Sequence, residues 1–191
     1  MASGEIRYAE TAQIACRAAT SGVLVLSTLH ANNTAGAVDV LRGFGVSSAA
    51  IADCLRGVIS QRLVRKVCEV SRQDIDADDH ARRVLHISGS DPVQITTGIP
   101  TDQNFRTGYN GRTAVFEIME LTRPLQDAIH RGEPSFEIRQ QAINNGMVSL
   151  EDSTRRKVLD KVTSISELER VISDTEQARS VRDPEAESAN V

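Results

Sequence analysis

The sequence contains no tryptophan, and its two tyrosines and four phenylalanines leave aromatics at 3% of 191 residues. Positive charge is not in excess either: 22 Lys and Arg stand against 26 Asp and Glu, a formal charge of −4. A nucleic-acid binder wants a basic face and rings for stacking, so that class is set aside. No apolar run reaches the length of a membrane span. The first residues, Met1-Ala2-Ser3-Gly4-Glu5-Ile6-Arg7, carry no apolar signal-peptide core. Cysteine is scarce, odd in number and scattered (Cys16, Cys54, Cys68), which reads as cytosolic thiols rather than a disulfide framework. What remains is 40% hydrophobic and 25% charged, the composition of a globular chain long enough to bury a core.

Periodicity organises the chain as α/β. Residues 9–20 are rich in alanine and predict a helix, closed by Ser21-Gly22. Val23 to Leu29 is a short, nearly all-apolar run, the mark of a strand buried on both faces of a parallel sheet. A helix with Asn33 as its N-cap follows, and a second is predicted from near Ser47 through Ile51, Leu55, Val58 and Ile59. Residues 69–92 are rich in Asp, Arg and Ser and read as a solvated loop or a short excursion. Strands are predicted at Val93–Thr97 and Thr113–Ile118, separated by a turn at Gly108-Tyr109-Asn110-Gly111. Helices are predicted beyond Thr122, beyond Glu133, and at two capping-box spacings, Ser149 to Asp152 and Ser164 to Glu167. From Asp174 apolar residues thin out and two arginines face five acids, the composition of a disordered tail.

Two places can carry chemistry. Gly4-Glu5-Ile6-Arg7 leads into a helix with Glu10-Thr11, and His30 lies just past the carboxyl end of the predicted strand, where open α/β sheets place ligands. Taken alone, Glu5 reads as a solvated charge and His30 as a capping or structural histidine. Arg62, Arg65 and Lys66 read as a solvated basic face. Asp74, Asp76, Asp78 and Asp79 resemble a calcium loop only in part, since Asp79 replaces the required glycine and Leu85 the bidentate glutamate.

Taken in order, however, five blocks resemble the C-terminal motor domain of the type II secretion and type IV pilus assembly ATPases. Glu5-Ile6-Arg7 with Glu10-Thr11-Ala12 resembles the end of that family's Walker B segment. Ser21-Gly22 through His30-Ala31-Asn32 resembles its His box. Ser60 to Cys68 and Thr107 to Glu117 resemble the segments that enter and leave its zinc module. Gly146 to Val158 and Thr163 to Leu168 resemble its last helices.

The resemblance implies a partial RecA-like P-loop NTPase domain, comprising the C-terminal part of the sheet over residues 4–67. A degenerate zinc-module region at 68–111 and a final strand with a helical C-terminal subdomain at 112–173 would follow, then the tail at 174–191. It implies catalytic roles for Glu5 and His30 and nucleotide contacts for Arg7, Glu10 and Thr28. It implies ATP and Mg²⁺ as family cofactors, and as partners an inner-membrane platform protein and full-length motor subunits in a hexamer. The chain would then sit in the cytoplasm, peripheral to the inner membrane.

This sequence departs from the pattern. It has no Gly-x-x-x-x-Gly-Lys-Ser/Thr and no Gly-Lys pair, so the amides and lysine that grip the β- and γ-phosphates are missing. Met1-Ala2-Ser3 stands where the apolar Walker B strand is expected, which reads as a truncated frame or fragment. Tyr8, Val23 and Asn33 replace residues usual in the motifs. At the zinc pairs, Cys68-x-x-Ser71 and Thr101-x-x-Asn104 keep one thiolate of four, and His80 and His86 lie away from the pair positions, so no zinc is expected. The expectation is a chain that does not bind or hydrolyse ATP alone. The alternatives are a non-catalytic module that docks on a motor ring or membrane platform, and a decayed product that folds poorly.

Overall fold

The computed structural model describes residues 2–180. In chain order the elements are β1 (Ala2–Glu5), α1 (Ala9–Thr20), β2 (Leu26–Thr28), α2 (Gly36–Gly43), α3 (Ser48–Cys54), β3 (Gly57–Val67), β4 (Arg72–Asp76), α4 (Asp79–Leu85), β5 (Gln94–Gly98), β6 (Tyr109–Glu120), α5 (Arg123–His130), α6 (Ser135–Asn144), α7 (Leu150–Leu159) and α8 (Ile165–Ser180). The described strands pair two by two: β1 with β2 in parallel, β3 with β6, and β4 with β5 antiparallel. The chain divides into two compact units, one of residues up to Ser60 with Glu117–Val148, the other of Gln61–Phe116 with the chain from Ser149 onward.

The first unit is built on apolar stripes of its helices. Ala12 on α1, Val38 on α2, Ile51 on α3, Leu125 and Ile129 on α5 and Ile138 on α6 are fully or almost fully buried and join one core with Met119 of β6. Full burial of each Leu, Ile or Val side chain is worth about 1.5–3 kcal/mol, so these helices are held by packing more than by propensity. Ser47 caps α3 by accepting from the Ala50 amide at 3.2 Å, and Asn33 accepts from the Gly36 amide at 2.8 Å. That Asn33 contact lies one turn ahead of the first full helical residue, so the cap predicted at Asn33 secures the entry turn of α2.

The second unit has two smaller cores. Ala81 and Leu85 of α4, Ile95 of β5, Val158 of α7 and Leu168 of α8 form one; Val64, Val115, Leu150 and Val171 form the other. Here Gly98 and Gly108 let two backbones cross: a Cβ at Gly98 would lie 1.9 Å from the Gly108 carbonyl oxygen.

Several predicted elements are corrected. The run Val23–Leu29 is not buried on both faces. Val25 and Leu29 pack on the core, while Val23, Leu24 and Leu26 are 43%, 69% and 63% exposed, because the outer face is left uncovered by the described residues. The helix from Ser47 stops at Cys54, and Gly57 opens a strand through Val58 and Ile59; β-branched residues after a glycine favour extended backbone. Residues 69–92 are not all loop. Arg72–Asp76 pairs with Gln94–Gly98, and Asp78 caps α4 by accepting from the Ala81 amide. The turn near Gly108 ends sooner than predicted, since Tyr109 to Gly111 already belong to β6. The composition that predicts disorder from Asp174 is overridden through Ser180 by α8, where Val171 and Thr175 are buried and Arg170 pairs with Asp174. Residues 181–191 of that predicted tail lie outside the described residues.

Replacing Gly98 by alanine is expected to lower stability by about 1–3 kcal/mol or more, since the clash is with backbone rather than a movable side chain. Gly43→Ala, where an added methyl meets nothing within 4 Å, is the control. Urea unfolding of the two variants is expected to separate them clearly.

Candidate functional site

The parallel pairing of β1 and β2 sets Glu5 opposite Thr28. The Ile6 amide donates to the Thr28 carbonyl at 2.8 Å, which brings the Glu5 segment alongside the strand that ends in His30. His30 Nε2 lies 2.6 Å from Glu5 Oε1, and Arg7 Nε donates to Glu5 Oε2 at 2.6 Å. The Glu5 side chain is 20% exposed, whereas those of His30 and Arg7 are 92% and 65% exposed. Glu5 Oε1 is buried and has no hydrogen-bond partner beyond this close ion-pair contact. The Arg7 hydrogen bond is the main reason the Glu5 carboxyl is held below the usual carboxylate range; burial opposes it, and the charges of Arg7 and His30 add to it. The result is a carboxylate favoured in its ionised form, with a basic residue on each oxygen.

Of the five residues singled out from sequence, the structure gathers Glu5, His30, Arg7 and the Thr28 backbone. Glu10 stands apart, exposed in the first turn of α1 with no hydrogen bond or ion pair to the cluster. The Thr28 side chain is exposed, and its tie to β1 is through the main chain.

The loop that carries His30 has an anchor that the sequence reading missed. Thr34, four residues on, donates its amide (3.0 Å) and its hydroxyl (2.6 Å) to Glu117 Oε1, while Arg139 of α6 donates to Glu117 Oε2 at 2.8 Å. Glu117 and Thr34 are 0% exposed and Arg139 7%. Burial by itself would raise the Glu117 carboxyl, but the bonds from Thr34 and the charge of Arg139 outweigh it and hold the group below its ordinary range. A signal was present: Val115, Glu117 and Met119 fall in phase on the buried face of β6, so a carboxylate occupies a core position.

In the second unit the four positions singled out from sequence as metal-pair positions, Cys68, Ser71, Thr101 and Asn104, are drawn together by hydrogen bonds. Asn104 Nδ2 donates to Ser71 Oγ at 2.8 Å and to the Ile99 carbonyl at 2.8 Å. Its Oδ1 accepts from the Thr101 amide at 2.9 Å and the Gly108 amide at 3.1 Å. A hydrogen bond from the Ser71 side chain lowers the Cys68 thiol against the effect of burial, and the Val70 amide and then the Asn104 side chain add to it. Arg65 is exposed, as a solvated face requires, but it is also engaged: its side chain and amide bond Glu167 at 2.8 and 2.7 Å, and its guanidinium stacks 4.0 Å over the Tyr109 ring. Glu167 is thereby engaged by Arg65 and Arg170 rather than closing a capping box with Ser164.

Residues 2–170 match the model of the type II/IV secretion system protein family. The chain belongs to that family. It is 36% identical over 167 residues to the type IV pilus assembly ATPase PilB of Thermus thermophilus, covering 86% of this chain and 19% of that protein. It is 37% identical over 170 residues to the type II secretion system ATPase E of Vibrio cholerae, covering 88% of this chain and 33% of that protein. The chain therefore spans a fifth to a third of the length of these relatives. The solved structure of the Legionella pneumophila ATPase DotB aligns with a TM-score of 0.61 at 18% identity, over 90% of this chain and 38% of that one. That likeness speaks to fold: the family member is α/β and corresponds to part of a RecA-like domain.

Removing Glu117 strands a buried guanidinium, and Glu117→Ala is expected to cost about 3–5 kcal/mol in urea unfolding. Because the folded Glu117 carboxyl is depressed, its contribution is fully present above the unfolded carboxylate value of about 4.3 and is lost as pH falls through the folded value. The variant is accordingly expected to lose part of the acid sensitivity of the parent below that pH.

Proposed function

We propose that this family member contributes the Glu5–His30 side of a nucleotide site in a secretion or pilus motor ATPase, and that alone it neither holds nor turns over ATP. The observation that carries the reading is the 2.6 Å pairing of Glu5 with His30 at the carboxyl end of β2, in a sequence without a phosphate-gripping loop. The residues present do not fit a bound Mg²⁺-nucleotide. One carboxylate serves, with both its oxygens already against Arg7 and His30. Among the described residues, no group of three or more His, Cys, Asp or Glu side chains gathers to hold a metal ion. Mg²⁺ demands near-octahedral oxygen ligation, which a single engaged carboxylate does not supply. What the arrangement supplies is a fixed negative charge with an exposed imidazole beside it, poised to complete a site whose other groups come from elsewhere.

The natural sources of those groups are full-length motor subunits, and the resemblance extends the proposal to a hexameric ring working with an inner-membrane platform, in the cytoplasm and peripheral to that membrane. No described helix is long and apolar enough to cross a membrane. The uncovered apolar face of Val23, Leu24 and Leu26 favours a second reading, in which the chain docks on such a ring without catalysing anything.

The purified chain with Mg²⁺ and ATP is expected to release phosphate no faster than buffer. Turnover that disappears in Glu5→Gln would overturn the proposal of inactivity. Mixed with a full-length type II secretion ATPase, association that changes the ring's hydrolysis in a Glu5-dependent way supports the first reading, whereas association indifferent to Glu5→Gln supports the docking module.

We also propose that the region 68–111 needs no zinc, with Asn104 taking over the structural duty of a metal. A zinc-held module unfolds when the metal is removed. Here a strong chelator is expected to leave the melting temperature unchanged, while Asn104→Ala lowers it.

A further inference from the structure

The His30 side chain is 92% exposed, so packing does not fix its ring, and its 2.6 Å approach to Glu5 depends on where the backbone aims it. Before His30, Leu29 packs on the core and the Thr28 carbonyl receives the Ile6 amide. After His30 the chain passes exposed Asn32 and half-buried Asn33 and is fully buried at Thr34. There the Thr34 amide and hydroxyl both donate to Glu117 Oε1, at 3.0 and 2.6 Å, while Arg139 donates to Glu117 Oε2 at 2.8 Å. Asn33 accepts from the Gly36 amide at 2.8 Å, so the anchored residue and the entry turn of α2 are held together.

We propose that Thr34, Glu117 and Arg139 are positioning residues of the Glu5–His30 site, a role that rests on reading those two residues as one side of a nucleotide site. A buried ion pair is weak support for stability, since well-packed apolar residues of similar volume often replace it at no cost. Apolar contact is also non-directional. Hydrogen bonds are directional, and direction is what this network supplies. Two donors of one residue converge on a single carboxylate oxygen, which fixes the Thr34 backbone through its amide and the side-chain rotamer through its hydroxyl. Arg139 fixes the carboxylate from its other oxygen, and Glu117 stands within the 12-residue strand β6. The loop from Leu29 to Thr34 is thereby pinned at both ends, and His30 is aimed from between the pins. Thr34 acts on His30 through the backbone, four residues away. The demand for such pinning is chemical, because a misplacement of about 1 Å can cost about a hundredfold in rate.

The test reads His30 in the full purified chain by NMR, through the nuclear Overhauser contact between its imidazole protons and the Glu5 side chain. The native chain is expected to show that contact, and so is Thr34→Ser, which keeps both donors. Glu117→Leu combined with Arg139→Met removes the two charges together and strands neither; this double variant is expected to fold and to lose the contact. Leu125→Ala opens a cavity at a 2% exposed position of the same core and leaves all three network residues in place. It is expected to melt earlier and yet keep the contact, which separates aiming from mere stability. An undiminished contact in the double variant, or its loss in Leu125→Ala as well, overturns the positioning role and leaves the nucleotide-site reading standing. A native chain without the contact overturns both. If the double variant does not fold, Thr34→Val, which removes the hydroxyl alone, takes its place: a contact weakened relative to Thr34→Ser supports the role, and an equal one overturns it.

Discussion

A buried carboxylate organises the first unit. Glu117 is fully enclosed, and an enclosed anion is costly unless every lone pair is used. Thr34 and Arg139 use them: one oxygen receives the Thr34 amide and hydroxyl, the other a guanidinium nitrogen. Three distant stretches of chain, the start of α2, strand β6 and helix α6, are therefore tied at one point. The loop bearing His30 takes its position from this anchor, four residues away. Without it, the 2.6 Å approach of His30 to Glu5 would depend on β2 alone, a three-residue strand with one neighbour.

At the Glu5 cluster the electrostatics run in one direction. Arg7 binds the carboxylate through a hydrogen bond and a charge, His30 approaches the other oxygen, and burial is too slight to reverse them. The carboxylate is kept ionised and oriented while the imidazole stays open to solvent.

In the second unit two loops are tied at one side chain. A tetrahedral zinc site holds two short loops through four bonds at one centre. Asn104 offers two donors and an acceptor oxygen with two lone pairs, and here it bonds Ser71, Ile99, Thr101 and Gly108 at once. One amide side chain thereby joins the two loops, and the left-handed backbone of Phe105 and Arg106 completes the tight return. Serine and asparagine at those positions bond each other through their side chains, while Thr101 joins through its backbone amide.

Much of this was legible in residues alone. Alanine periodicity marked α1, Ser47 and Ser149 marked helix starts, and the motif order marked the family and put Glu5 and His30 forward. The misreadings share a physical cause. Exposure of Leu24 and Leu26 depends on what covers β2, and a run of seven residues says nothing about its neighbours. The strand hidden in the acidic stretch Arg72–Asp76 exists because Gln94–Gly98 lies beside it, a partner some twenty residues away in sequence. Glu167 has capping-box spacing, yet Arg65, a hundred residues earlier, claims its carboxylate. Local preference, pattern and motif order are properties of the sequence by itself, because they are settled by neighbours within one or two turns. The Glu117 anchor and the Asn104 knot were decided only by tertiary structure, because each joins groups whose energies depend on burial and direction, and neither exists until the chain has folded.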